Sequence, residues 1–72
     1  MYKYIVIELQ TMTDGSVGNL VYSFDTEDEA WSKYFAVLSS AATSKLPRHA
    51  ATLLQSDGYQ VAYREFTHKE AE

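Results

Sequence analysis

Asp25-Thr26-Glu27-Asp28-Glu29-Ala30-Trp31-Ser32-Lys33-Tyr34-Phe35 decides the fold. Thr26 with Glu29 three residues later has capping-box spacing, and the acidic run Glu27, Asp28, Glu29 suits the positive end of a helix dipole. Beyond it Trp31, Tyr34, Phe35, Leu38, Ala41 and Ala42 recur at three and four residues and form one apolar stripe. Ser32, Lys33 and Ser40 face away. Leu46 precedes Pro47 and is pushed out of the α region, so the spacing predicts a helix over 26–44, about 18 residues and ~27 Å long.

Both flanks of this helix read as β-hairpins. Upstream, residues 2–10 carry Tyr2, Tyr4, Ile5, Val6 and Ile7, with apolar side chains on both alternating faces, which predicts a central strand. Residues 11–19 gather Asp14, Gly15, Ser16, Gly18 and Asn19 into a long loop, and 20–24 alternates as a half-buried strand with Leu20, Tyr22 and Phe24 on one side. Downstream, 49–55 and 59–66 are strands around the turn Ser56-Asp57-Gly58, and the polar tail 67–72 is expected to fray.

A β-β-α-β-β chain with short hairpins gives an α+β domain: a four-stranded antiparallel sheet with one helix on one face. Strand order 2-1-3-4 is preferred over 1-2-4-3 because it keeps the most apolar strand off an edge. One helix covers one face only, so the other is solvated or covered by another molecule. With Ile5, Ile7 and Leu9 assigned to the helix side, Tyr2, Tyr4 and Val6 project from the open face and, with Tyr63, are the candidate interface residues. Tyrosine suits a surface that is apolar in body and wet at one end.

Composition points the same way. A domain of 72 residues draws only about 3–5 kcal/mol from its core. The chain has no cysteine for a disulfide, and two histidines without a thiolate do not make a structural zinc site. Self-association, with a homodimer favoured, is the expected compensation. The lack of cysteine, of a signal peptide and of a membrane-length apolar run predicts a soluble cytoplasmic protein. Ten acidic against six basic residues give a net charge of −4 with the basic ones scattered, which disfavours nucleic acid as a partner.

No residue pattern assembles an active site. His49 and His68 with Glu65 or Glu70 form a conceivable metal or acid–base set, but a strand-edge histidine and a tail histidine are the plainer reading. Glu27-Asp28-Glu29 lacks the alternating ligands and glycine of a calcium loop. Gly15-Ser16-Val17-Gly18 matches a nucleic-acid-clamping Gly-x-x-Gly, yet it joins two strands rather than two helices. Ser39, Ser40 and Ser44 have no activating base beside them. Lys45, Arg48 and Arg64 are the candidates for contact with phosphate or an acidic partner. No enzyme activity, cofactor or metal is expected.

The pattern Glu29-Ala30-x-x-Lys33-Tyr34-Phe35-x-Val37-Leu38-x-x-Ala41-Ala42-x-Ser44, followed by Pro47-x-His49-Ala50 and Leu53-Leu54-x-x-Asp57-Gly58-Tyr59, resembles a group of small uncharacterised proteins of Clostridia-like Gram-positive gut bacteria. The resemblance implies a phage- or prophage-associated module that acts in assembly or as an adaptor. It attaches no biochemical activity.

These readings converge on a non-enzymatic interaction module that self-associates through its open sheet face or an edge strand. A small nucleic-acid-binding or regulatory protein is the alternative, and a ligand-binding or catalytic site formed between subunits is the third.

Overall fold

The computed structural model describes residues 3–68. Strands β1 (Tyr4–Thr11) and β2 (Val17–Phe24) precede helix α1 (Glu27–Ala42), and β3 (Arg48–Gln55) and β4 (Gln60–Thr67) follow it. The strands form one antiparallel sheet in the order β2-β1-β3-β4, with α1 packed on one face. This is the α+β architecture and strand order expected from the sequence.

The first hairpin is tighter than its composition suggests. Gly18 and Asn19, read as loop residues, pair with Gln10 and Leu9 in the β1–β2 ladder, so β2 begins at Val17. The loop itself closes by Met12 N–H to the Ser16 carbonyl at 2.8 Å and Gly15 N–H to the Met12 carbonyl at 3.0 Å. The Asp14 carboxylate accepts from Ser16 N–H and Oγ–H, and Gly15 takes φ +90°. In the second hairpin Gly58 turns at φ +94°, where a glycine avoids the Cβ clash, and Asp57 accepts from Tyr59 N–H.

Helix α1 starts at the expected N-cap. Thr26 Oγ1 accepts from Glu29 N–H at 3.3 Å and donates to the Glu29 carboxylate at 2.9 Å. The glutamate thus returns to the Thr26 hydroxyl rather than to its backbone. Thr26→Ala is expected to cost about 1 kcal/mol, read as a lower urea midpoint at unchanged slope; an unchanged midpoint would show that the cap contributes nothing. The helix stops at Ala42, two residues before the expected end, because Thr43 leaves helical geometry and its N–H turns back to Ser40.

The helix stripe is rotated by one position from its sequence reading. Ala30, Tyr34, Val37 and Ala41 are buried, while Phe35 is 58 % exposed and Trp31 lies at the rim. Trp31 donates its indole N–H to Glu27 at 3.1 Å and stacks on Phe35 at 5.4 Å, so the two large rings pack along the flank of α1. On the other flank the Lys33 ammonium sits 4.1 Å above the Tyr22 ring.

The face assignment of β1 is reversed from that expected. Val6 lies in the core with Ala30, Tyr34, Val37, Ala51 and Leu53, and Tyr4, Tyr22 and Phe24 pack around that cluster. Ile5, Ile7 and Leu9 are therefore on the open side. Both faces of β1 carry apolar residues, and the more aliphatic one, Ile5, Ile7 and Leu9, is the open one, while Glu8 shares the helix side with Tyr4 and Val6; a one-residue difference inverts every side chain. On the face that takes the helix, small Ala30 and Ala51 lie in the core and the rings of Tyr4, Tyr22 and Phe24 pack around them.

Part of the expected fraying segment is anchored. Thr67 ends β4, His68 N–H bonds the Pro47 carbonyl at 2.9 Å, and His68 Nε2 lies 2.9 Å from the Ala41 carbonyl at the end of α1. Residues 69–72 lie outside the described part.

Candidate interaction surface

Register defines the open face. Across the sheet from β2 to β4 the rows run Val21–Ile7–Thr52–Tyr63, Asn19–Leu9–Ala50–Glu65 and Val17–Thr11–Arg48–Thr67, with Ser23–Ile5–Leu54 at the other end. Ile5, Ile7, Leu9, Val21 and Leu54 make an apolar centre, and Ser23, Asn19, Thr11, Arg48 and Glu65 a polar margin. Such a centre with a polar rim is the anatomy of a protein–protein contact. Its charges cancel locally, because Arg48 pairs with Glu65 at 2.6 Å.

Tyr63 is the one expected interface residue that this face displays, 48 % exposed beside Glu65. Tyr4 packs against the core and Val6 is fully buried under α1, so neither lies on the open side. Tyr2 falls outside the described residues.

Tyr63 donates its hydroxyl to the Glu65 carboxylate, which also accepts from Arg48. The Tyr63 hydrogen bond, followed by that of Arg48, holds the Glu65 carboxyl below its ordinary value of 4.5, and the same bond raises the Tyr63 phenol above 10.0. A carboxyl depressed in the folded state contributes stability that is present above the unfolded pKa and lost as pH falls through the folded one. Tyr63→Phe should therefore move the Glu65 titration, followed by carboxyl NMR, upward toward the ordinary value; an unmoved curve would assign the depression to Arg48 alone.

The phosphate-contact candidates do not converge. Arg48 is on the open face, Arg64 is on the helix side with its guanidinium 5.4 Å from the Phe66 ring, and Lys45 is exposed in the α1–β3 connection.

A buried histidine–carboxylate pair escaped the sequence reading. His49, expected at a strand edge, lies in central β3 with its Nε2 2.6 Å from a Glu8 carboxylate oxygen, the two side chains 6 % and 11 % exposed. Gln10 Nε2 donates to the same oxygen at 3.2 Å. His49 Nδ1 is buried without a partner among the described residues. Glu65, the carboxylate considered for His49, belongs to Arg48; Glu70 is outside the described part.

Two open depressions mark the described surface. One of about 410 Å³ is lined by Lys3, Tyr4, Gln55, Ser56 and Asp57, and one of about 340 Å³ by Phe24, Glu29, Ser32, Lys33 and Ala36. Neither includes Glu8 or His49. Among the described residues no three His, Cys, Asp or Glu side chains are grouped to hold a metal ion, and no helix is long and apolar enough to cross a membrane. No family model matches the chain, and no curated protein or solved structure is significantly similar to it.

Proposed function

We propose that the protein is a non-enzymatic interaction module that self-associates by packing its open sheet face on that of a second copy. The observation that carries this reading is the centre formed by Ile5, Ile7, Leu9, Val21 and Leu54, apolar and not covered by α1. A chain of this size has a thin core and no disulfide to support it, and burying that centre adds the missing apolar area. The phage or mobile-element setting implied by the sequence resemblance would make this an assembly or adaptor component.

Ile7→Glu tests it, because Ile7 is central on the open face and makes no part of the buried cluster. The variant should sediment at a smaller mass than the parent while its far-UV circular dichroism stays the same. Unchanged association with the charge in place would remove the open face from the interface.

A further inference from the structure

The two edges of the sheet are built differently. β4 carries Arg64 and Glu65, and its register slips between Leu53 and Leu54, features that discourage pairing with another strand. β2 has neither. Its eight residues, Val17–Phe24, contain no charge and no proline, and they run in unbroken one-to-one register along β1. Val17, Leu20 and Val21 on this strand are 61 %, 46 % and 58 % exposed. A long, regular, uncharged edge is a template for another strand.

The hairpin sets which backbone groups are free. Met12 N–H bonds Ser16 C=O, so the even-numbered residues of β2 exchange bonds with β1, and Val17, Asn19, Val21 and Ser23 turn their N–H and C=O groups to the outer edge.

We propose that β2 pairs antiparallel with β2 of a second copy about a two-fold axis, making one continuous eight-stranded sheet. Residues opposite each other in an antiparallel ladder share a face. The register that satisfies this and keeps every charged residue out of the seam centres on Leu20: Leu20 meets Leu20, Asn19 meets Val21, Gly18 meets Tyr22 and Val17 meets Ser23. Leu20, on the helix side but left half-exposed by α1, is then covered by its own copy. A neutral seam brings no like-charge repulsion to a chain of net charge −4.

The pairing also extends the open face. Four strands at about 4.8 Å spacing and eight residues at about 3.3 Å rise give one open face roughly 500 Å² in projection. The seam joins two open faces through Val17 and Val21 into one surface of about twice that area. The pairing does not depend on the open-face contact, but it enlarges it.

Leu20→Cys provides the test, since the chain has no other cysteine. At the axis, in a non-hydrogen-bonded pair, the two Cα atoms lie about 4.5 Å apart, within disulfide reach. Under mild oxidation at micromolar protein, Leu20→Cys should cross-link at least about a hundredfold faster than Ser40→Cys on the exposed outer helix, because paired thiols react at millimolar effective concentration. The same excess should appear in the Ile7→Glu background, which separates the seam from the open-face contact. Cross-linking of Leu20→Cys no faster than of Ser40→Cys in the parent background would overturn the pairing, whichever way the open-face experiment ends.

Discussion

Glu8→Ala and His49→Ala are each expected to lower stability by about 3–5 kcal/mol, because removing one partner strands the other polar group in the interior. That is nearly all the stability a domain of this size commands. Both variants should be largely unfolded at 25 °C by circular dichroism. The informative companion is the double replacement Glu8→Met with His49→Leu, which removes both polar groups and keeps apolar volume. It should recover most of the loss or exceed the parent, since a buried hydrogen-bonded polar pair often contributes less than a packed apolar pair. Its site favours that outcome: the pair is enclosed, and His49 Nδ1 already lacks a partner among the described residues. Single variants as stable as the parent in urea would show that water reaches the pair.

Leu53→Ala is the second large effect. Leu53 is fully buried, is among the largest side chains so placed, and joins β3 to Val6, Ala30 and Tyr34 in one cluster. Its truncation should cost about 2–5 kcal/mol through lost transfer energy and the cavity left behind. The proposed self-association would add a signature to this loss: binding that favours the folded state makes the melting temperature rise with protein concentration. The Leu53→Ala midpoint should therefore climb over a hundredfold concentration range. A small stability loss would mean that the core relaxes around the cavity, and a midpoint independent of concentration would separate folding from assembly.

The sequence made some elements legible and hid others, for identifiable reasons. Local signals were clear: the Thr26–Glu29 spacing and the Asp57-Gly58 turn both act within a few residues and need no tertiary context. Strand order followed from keeping apolar β1 off an edge. The sheet face did not, because β1 is more apolar on its Ile5, Ile7 and Leu9 side than on the side of Tyr4, Val6 and Glu8 that takes the helix. The helix stripe was misread for a separate reason: small Ala30 and Ala41 are buried and bulky Phe35 is exposed, and the aromatic weight of the stripe masked this. Glu8 was the missed clue to the buried His49 contact. A carboxylate between Ile7 and Leu9 in a central strand needs a buried partner, and in order 2-1-3-4 the diagonal neighbour of suitable chemistry is His49. The interface residues inherited the face inversion, which leaves only Tyr63 of the original set on the open side.

Sedimentation of the wild-type protein across a concentration series, from low micromolar to millimolar at moderate salt, tests the proposal of self-association most directly. The open face and the bare β2 edge predict a species of at least twice the 8.2 kDa chain mass, persisting to the low end of the series. A single 8.2 kDa species at every concentration would contradict it.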